Sequence, residues 1–468
     1  MGFLSRVFSG SEQATPVADV ARRDPGTETV IAELPDGISG SLVASPDGRR
    51  VAYIDKVAGG HRVVVDRQPG HVYSKIVEGS VIFSPDSQRI GYLAETGRAT
   101  VAVIDTNESH PYQRTGSVVF SPDSHRSAFP ARTATGWVAV IDGAEGRTYA
   151  DFVETGCVFS PDSRHVAYGV KRADTWITVL DGEEQPYTGL VRTGLAFSPD
   201  SKRFGYQNHD GEQNFVVIDG TKGQPYDGIV SDLIFSPDSS HYVYAATRGG
   251  KFLIVRDGEE QETLGPIAGQ PLFSPDSRRL AYRVDIGKQW MMVLDGEPGK
   301  AYGPVRPFDV RLASWAAWAT FSPDGQRFAY AAVDEGKIMV VLDGKEGTKY
   351  NTVFYWGYGF APDSRHFAYT ARTGRRIFVV MDTSEQGIYK TIPSPGLQWS
   401  PDSHTVAYAA TREKEAFVVA GDVIGKPYDT VIMQEFSALF DPGGHLHYLA
   451  TANHQVYAVE EQLAAKPA

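Results

Sequence analysis

Short runs of alternating apolar and polar residues cover almost the whole chain and predict strands. Residues 164–168 (Arg-His-Val-Ala-Tyr) alternate with a period of two, and residues 215–219 (Phe-Val-Val-Ile-Asp) form a β-branched run that ends in an aspartate. No segment keeps the three- and four-residue apolar spacing of an amphipathic helix, which excludes a helical solenoid. The pattern therefore predicts an all-β protein.

One turn sequence, Ser-Pro-Asp or a close variant, recurs after an apolar run that usually ends in an aromatic residue. Successive prolines of this turn are 37 to 41 residues apart, except for one gap of 48 residues. Proline fixes φ at the second turn position, and Ser and Asp suit the first and third. The repeat therefore marks one unit about forty residues long. Its prolines are Pro46, Pro85, Pro122, Pro161, Pro199, Pro237, Pro275, Pro323, Pro362, Pro401 and Pro442.

The rest of each unit predicts three further strands. An aromatic residue lies seven positions after the proline in the first ten units, from Tyr53 to Tyr408. A third strand ends in an Asp that lies twenty residues after the proline in nine units. A turn then leads to a Tyr, where we expect a short fourth strand to begin, as in residues 226–230. Four antiparallel strands in each repeat predict a β-propeller of eleven four-stranded blades.

The two ends of the chain indicate how the ring closes. Eleven proline turns are present, but only ten units continue to a fourth strand. Residues 29–31 (Thr-Val-Ile) match residues 430–432, so we predict that the N-terminal segment supplies the strand that the last blade lacks. The alternative is two smaller propellers of seven and four blades, divided at residues 302–321. The predicted organisation is an N-terminal tail (1–26), the propeller (27–460) and a C-terminal tail (461–468).

The motifs Phe-Ser-Pro-Asp-Ser/Gly-x-Arg-x-Ala-Tyr and Val-Val-x-Asp-Gly resemble the WD40-like Pro-Asp repeats of TolB-type propellers. The resemblance covers roughly residues 27–460. It implies a propeller fold, a partner-binding role, and turn or core positions for the Ser, Pro, Asp and Tyr of the repeat. Related propellers precede serine peptidase domains of the prolyl-oligopeptidase type, and eleven blades leave no room here for such a domain.

Composition narrows the class of partner. The formal net charge is −12, and no run of clustered Lys and Arg is present, so we expect no nucleic-acid binding. Cys157 is the single cysteine, which excludes an intramolecular disulfide, and its apolar neighbours predict a buried structural thiol. The sequence contains no stretch of about eighteen apolar residues, which is the length needed to cross a membrane.

The N-terminal residues bear on location. They lack the long apolar core of a secretory signal, so we expect a cytoplasmic protein. Phe3, Leu4, Val7 and Phe8 could form one face of a short helix that contacts a membrane or a partner. A frayed tail is the alternative interpretation.

Catalytic motifs are absent from the sequence. It has no Gly-x-Ser-x-Gly elbow, no phosphate-binding loop and no His-Glu-x-x-His motif, and its Asp-Gly turns lack the alternating ligands of a calcium loop. His445 and His447 share a strand face without a third candidate ligand. We therefore expect no enzyme activity, no cofactor and no metal site.

The longest departure from the repeat is the most informative about binding. The insertion at residues 305–318 concentrates Arg and aromatic residues, which are common in binding hot spots, and the next unit adds two more at the corresponding place. We predict an aromatic patch at one mouth of the ring, with local core filling as the alternative. The candidate partner-binding residues are Arg306, Phe308, Arg311, Trp315, Trp318, Tyr355 and Trp356.

The expected function is a non-catalytic scaffold for protein–protein interaction. We expect a peripheral subunit of a larger assembly, with membrane attachment through residues 3–8 as one option. The alternatives are a propeller that binds a small molecule or a glycan, and an unfamiliar enzyme that uses the central channel.

Overall fold

The strands of the described residues form eleven antiparallel sheets, each built as one blade. The computed structural model describes residues 23, 26–35, 39–303, 319–393, 396–432 and 439–463. Blades 1 to 10 follow one another along the chain, each with its strands in sequence order from the innermost to the outermost. In blades 2, 3 and 6 the innermost position is divided between two short strands. The all-β prediction is confirmed.

The strand bounds of the first five blades are as follows: blade 1, Ser39–Ala44, Val51–Val57, Gly60–Val65 and Gln68–Pro69; blade 2, Lys75–Ile76 with Ile82–Phe83, Ile90–Thr96, Ala99–Ile104 and Asn107–Glu108; blade 3, Arg114–Thr115 with Val119–Phe120, Ser127–Arg132, Trp137–Ile141 and Ala144–Glu145; blade 4, Asp151–Phe159, Val166–Arg172, Thr175–Leu180 and Glu183–Thr188; blade 5, Leu190–Phe197, Phe204–His209, Asn214–Ile218 and Thr221–Lys222.

The remaining blades have these bounds: blade 6, Gly228–Ile229 with Ile234–Phe235, Tyr242–Arg248, Lys251–Arg256 and Glu259–Glu262; blade 7, Ile267–Phe273, Leu280–Ile286, Gln289–Leu294 and Glu297–Pro298; blade 8, Ala319–Phe321, Phe328–Asp334, Lys337–Leu342 and Lys345–Glu346; blade 9, Thr352–Phe360, Phe367–Thr373, Arg376–Met381 and Ser384–Tyr389; blade 10, Gln398–Trp399, Val406–Arg412, Glu415–Ala420 and Val423–Ile424; blade 11, Thr430–Ile432, Leu446–Ala452, Gln455–Glu461 and Thr27–Glu33.

The sequence analysis placed the fourth strand of each unit at the wrong residues. The outermost strand precedes the Tyr of the repeat: in blade 5 it is Thr221–Lys222, directly after the third strand. Tyr226 then bridges back to Asn214, and Gly228–Ile229 pairs with blade 6 instead. The two-residue Asp-Gly turn folds the chain back at once, so the residues after Tyr226 are already the innermost strand of the next blade.

Apolar packing between neighbouring blades shows that the blades form one ring. The buried apolar residues fall into eleven clusters, and each cluster joins two consecutive blades. One cluster joins blade 7 to blade 8 through Trp290 and Phe328, across the boundary at which two rings would separate. Another joins blade 11 to blade 1 through Leu449 and Tyr53. The molecule is a single eleven-bladed propeller, and the two-ring alternative is excluded.

The N-terminal strand Thr27–Glu33, called the closing strand below, completes blade 11. It pairs antiparallel with Gln455–Glu461 as the outermost strand of that blade. The predicted closure is confirmed, although the supporting match was wrong: Thr430–Ile432 is the innermost strand of the same blade and not a fourth strand. Closure leaves no blade without its outer strand among the described residues, which protects the array from open ends.

Candidate partner-binding site

The polar residues of the Ser-Pro-Asp turn bind one another and the next blade. The Ser84 hydroxyl donates to Asp86 Oδ1 at 2.5 Å and accepts the Arg89 amide at 2.9 Å. The Asp86 amide donates to Ser124 Oγ of the following blade at 3.0 Å. The same pattern recurs in most other blades. These residues therefore have structural roles, as the resemblance implied.

A second recurrent link ties the two turns of one blade to its neighbour. Arg89 Nε donates to Asp105 Oδ2 at 3.0 Å, and another guanidinium nitrogen reaches the carbonyl oxygens of Ser124 and His125 at 3.0 and 2.9 Å. The guanidinium carbon lies 5.2 Å from the centre of the Phe120 ring. Charge-assisted bonds and a cation–π contact thus meet at one residue.

The ring of aspartates after the prolines does not form an acidic site. The Asp200 carboxylate accepts the Ser198 hydroxyl and the Lys202 amide, and these hydrogen bonds lower the pKa of Asp200 to about 2. Lys202 Nζ also lies 3.3 Å from the carboxylate. The charge is held within the turn, so the turn role accounts for these carboxylates.

Two groups that could carry chemistry are placed in structural positions. Cys157 is buried, and burial raises the pKa of its thiol to about 12, so the reactive thiolate is scarce at neutral pH. His447 is buried, and desolvation lowers the pKa of its imidazole. His445 is exposed and faces Asp441, with Nδ1 and Oδ2 3.2 Å apart. Within the described residues, no group of three His, Cys, Asp or Glu side chains could hold a metal ion.

A large recess on the inner wall of blades 1 to 3 is apolar. It has a volume of about 910 Å³, and no ionisable side chain lines it. Because the recess spans the innermost strands of three successive blades, it opens on the central channel. Its lining residues are Val43, Ala44, Pro46, Gly79, Val81, Ile82, Phe83, Pro85, Val118, Val119 and Phe120.

One position of the repeat distinguishes the lining of the recess from blades 8 to 10. The third residue before the turn proline is half-buried in most blades and is Val43, Ile82 or Val119 in the first three. Blades 4, 6 and 7 also have an apolar residue there, so this position alone does not confine the recess. Blades 8 to 10 carry Thr320, Gly359 and Gln398 at the same position. The inner strand of blade 2 is interrupted between Ile76 and Ile82, with Gly79 at φ 73°. This interruption opens the wall beside the apolar side chains.

The predicted aromatic patch falls mostly outside the described residues. Arg306, Phe308, Arg311, Trp315 and Trp318 lie in residues 304–318, and the candidate anchor residues Phe3, Leu4, Val7 and Phe8 lie in residues 1–22. Tyr355 and Trp356 belong to the innermost strand of blade 9, Thr352–Phe360, and only their backbone is described. Both stand in a bulge, because Phe354 pairs with Thr370 while Tyr358 pairs with Tyr369. The patch remains a prediction.

The sequence analysis did not identify the apolar recess. Its residues are ordinary members of the repeat, and Val81-Ile82-Phe83 and Val118-Val119-Phe120 read as strand positions. Blades 8 and 10 carry Thr320 and Gln398 at the position of Ile82, but Ile234 of blade 6 is as apolar as Ile82, so the runs alone did not mark the recess. Only the ring closure shows that blades 1, 2 and 3 present their version of this position side by side.

Comparison with known proteins gives likeness at the level of structure. No protein-family model matches the sequence, and no curated protein sequence matches it. Similar solved structures include a eukaryotic initiation factor (12% identity, 73% of this chain, 96% of that chain, TM-score 0.40). TolB from Acinetobacter baumannii is also similar, with 16% identity over 57% of this chain and 81% of that chain and a TM-score of 0.27. The Dos1 propeller has 12% identity over 74% of this chain and 92% of that chain and a TM-score of 0.32. No function is transferred from them.

Proposed function

We propose that the protein is a non-catalytic scaffold that binds another protein in the recess of blades 1 to 3. The observation that carries this proposal is an apolar recess of about 910 Å³ with no ionisable side chain in its wall. General acid–base or nucleophilic catalysis needs such a side chain beside the bound molecule. An apolar wall on a rigid ring supplies binding energy instead.

The backbone around the recess favours a protein segment as the occupant. In every blade the innermost strand is the edge of its sheet, so one row of backbone N–H and C=O groups faces the channel. An extended peptide can pair with such an edge while its apolar side chains enter the recess. An apolar small molecule would use the side chains alone.

The experiment compares partner capture by variants of equivalent residues. Ile82→Gln places an amide in the recess, whereas Ile234→Gln makes the same change at the corresponding position of blade 6, outside it. We expect tagged Ile82→Gln to lose proteins that co-purify with the parent from its native cells, and Ile234→Gln to retain them. Thermal unfolding of both variants controls for stability. Recovery of the parent as a free monomer, or equal capture by both variants, would contradict the proposal.

The wider assembly and its location stay predictions. We propose a peripheral subunit of a larger cytoplasmic assembly, with Phe3, Leu4, Val7 and Phe8 as a candidate attachment to a membrane or a partner. No helix among the described residues is long and apolar enough to cross a membrane. Replacing Phe308 and Trp315 by Ala tests the aromatic patch in the same capture assay, and unchanged capture would remove the patch from the binding surface.

A further inference from the structure

A cluster of cations, most of them exposed, lies on and beside the hairpins between the second and third strands of blades 9 and 10. Residues 372–376 are exposed and contain Arg372, Arg375 and Arg376. Blade 10 contributes the half-buried Arg412 and the exposed Lys414. Lys390 lies on the connection between the two blades and is exposed as well. We call these six residues the cationic surface; Glu413 and Glu415 are the carboxylates on the same hairpins.

The backbone joins the two hairpins into one continuous surface. Tyr389 pairs with Ile377, which places Lys390 beside Arg376 of blade 9. The Lys390 amide donates to the Thr411 carbonyl at 2.9 Å, next to Arg412 of blade 10. The Arg412 guanidinium lies 5.8 Å from the centre of the Tyr389 ring. The cations of the two blades are therefore neighbours in space.

These cations lack the carboxylate partners found on corresponding hairpins. None of the six forms an ion pair with a described residue. In blade 6, by contrast, Arg248 binds Glu260 and lies 5.5 Å from the Tyr226 ring. Elsewhere Lys349 pairs with Asp334 and Lys222 with Asp210. Arg98 and Lys288 on other hairpins also form no ion pair with a described residue, but each is the single cation of its turn, whereas blades 9 and 10 bring six cations together on a chain with a net charge of −12.

The loss of one carboxylate can be traced through the repeat. Arg172, Arg248 and Arg412 occupy the same position, four residues after the aromatic of the second strand. In blades 4 and 6 the glutamate that pairs with this arginine lies opposite a valine of the third strand: Glu184 faces Val179 and Glu260 faces Val255. In blade 10 the residue opposite Val419 is Ile424. Arg412 keeps its stacked position but has no carboxylate at that place, and its Nη2 is buried without a hydrogen-bond partner.

An apolar side chain borders the cations. Ile388 is 40% exposed and lies directly before Tyr389, at the end of the outer strand of blade 9. A ligand that spans Ile388 and Arg376 would therefore combine apolar and acidic groups. Arginine binds carboxylates in a planar two-bond geometry, which favours Asp and Glu side chains as the acidic groups.

We infer that the cationic surface of blades 9 and 10 binds an acidic segment of a protein partner, with one apolar side chain against Ile388. The inference deepens the proposed scaffold function by naming a second contact and its chemistry. A short acidic segment contacts only two blades of the ring. A nucleic acid or a membrane extends beyond them and would meet the acidic remainder of the surface, which repels polyanions.

The test uses a fluorescein-labelled peptide in which pairs of acidic residues alternate with single leucines. We expect the parent to bind it, with affinity that falls as salt rises from about 50 to about 200 mM. Arg375→Glu/Arg376→Glu should weaken binding by about tenfold or more, since it reverses two contacts. A peptide with Gln and Asn in place of the acidic residues should not bind.

The control makes the same charge change on other hairpins. Arg98 and Lys288 stand at the turn position of Arg375 in blades 2 and 7, so Arg98→Glu/Lys288→Glu matches the net charge. We expect this variant to bind the peptide like the parent. Equal weakening by both variants, no binding by the parent, or tighter binding of single-stranded DNA or phosphatidylserine vesicles would overturn the inference. The Ile82→Gln capture assay is read separately, so failure here leaves the recess proposal standing.

Discussion

Single residues in left-handed conformation explain the alternation of Ser and Gly in the repeat. Ser87 has φ 65° and Gly48 has φ 65° at the fourth position of the turn. Glycine adopts this conformation without steric cost. Serine adds a hydroxyl that accepts a hydrogen bond from the backbone amide of the turn aspartate in the preceding blade, as Ser87 does from Asp47 at 3.0 Å. Either residue satisfies the turn, but only serine links two blades.

The interchange of Arg and His at one position gives a prediction about stability. In blade 3, Arg126 reaches the carbonyl oxygens of Ser163 and Arg164 in blade 4 at 3.1 and 2.7 Å. In blade 4, His165 stands at the corresponding place and contacts Asp181 of its own blade, with Nδ1 and Oδ2 2.6 Å apart. His165→Arg can add the missing link to blade 5. We expect a gain of about 0.5–1 kcal/mol in the free energy of unfolding, measured with urea.

The control for this variant is His110→Arg. It adds the same charge at an exposed site on the outer edge of the ring, beside Glu145 and away from any turn carbonyl of the next blade. An equal gain from both substitutions would show that the effect is one of charge and not of the link between blades.

The closing strand reproduces the contacts of an ordinary outer strand. Glu28 pairs with Val459, as Glu108 pairs with Val103 in blade 2. Tyr428 of blade 10 donates its hydroxyl to Glu28, just as Tyr73 donates to Glu108 at 2.7 Å. The strand is therefore bound both by its ladder and by side-chain contacts to the neighbouring blade, which fixes its register.

A buried ion pair holds the segment before the closing strand, and its removal should open the closure. Arg23 Nε binds Glu461, which also accepts the Tyr448 hydroxyl at 2.7 Å, and the Glu461 side chain is 1% exposed. Arg23→Met leaves this carboxylate buried without its cation. We expect a loss of about 3–5 kcal/mol in unfolding free energy and faster hydrogen exchange in residues 455–461.

The double variant Arg23→Met/Glu461→Met is the matched control. Since it removes both charges together, we expect it to recover most of the stability that Arg23→Met loses. If the double variant is as unstable as the single variant, the contact acts through packing of the arginine and not through its charge.

Acid should weaken the closing strand through Glu28. Burial alone raises the pKa of Glu28, but hydrogen bonds from Lys426 and Tyr428 and the charge of Lys426 hold it below the ordinary glutamate value of 4.5. A lowered folded pKa stabilises the fold above the unfolded value, and this contribution is lost as the pH falls through the folded value. The stability difference between the parent and Glu28→Gln should therefore shrink below about pH 4.5, measured by urea unfolding across a pH series.

The contradicting outcome is a stability difference that stays constant or grows as the pH falls. A constant difference would mean that the Glu28 carboxylate has the same proton affinity in the folded and unfolded chains, and a growing one that folding raises its pKa. In either case the closing strand depends on its backbone ladder and not on the charge of Glu28.

At the scale of the whole ring, the links between blades are unevenly distributed. An Arg of one blade reaches a turn carbonyl of the next at five interfaces in the described residues, from blade 1 to blade 4 and from blade 7 to blade 9. These arginines are Arg50, Arg89, Arg126, Arg279 and Arg327. His165, His241, His366 and Thr405 occupy the position in blades 4, 6, 9 and 10. Arg203 occupies it in blade 5, where it binds Asp219 of its own blade and lies 5.4 Å from the centre of the Phe235 ring of blade 6. This arginine–carbonyl link is thus confined to two arcs of the ring among the described residues.

Hydrogen exchange should follow these arcs. Opening between blades 4 and 5 breaks two side-chain hydrogen bonds of the described residues, from the Asp162 amide to Ser201 and from Asn208 to Tyr187, whereas opening between blades 2 and 3 breaks the two bonds of Arg89 and two others. Strand amides of blade 4 should therefore be less protected. We expect peptides that cover Thr175–Leu180 to exchange faster than peptides that cover Ala99–Ile104 under native conditions, measured by mass spectrometry. Equal protection in the two strands would indicate that apolar packing alone sets the local stability.

Local chemistry made most of the fold predictable from the sequence. Proline turns such as Pro85, the aromatic seven residues later and the fixed distance to Asp105 define a blade within about twenty residues. The fourth strand was misplaced because Thr221–Lys222 has no apolar pattern of its own, and its pairing depends on the Asp219–Gly220 turn. Neither the recess nor the cationic surface was predicted, because each combines residues of different blades.

The sequence by itself determined the repeat, the strands that alternate with a period of two, and the count of one strand too few at the C-terminal end. These follow from turn conformations and side-chain alternation, which act over a few residues. Only the tertiary structure decided that Trp290 packs against Phe328 to keep one ring. It also decided that Arg376, Lys390 and Arg412 share one surface. Contacts between blades depend on closure of the whole ring, and no local pattern encodes which exposed residues that closure brings together.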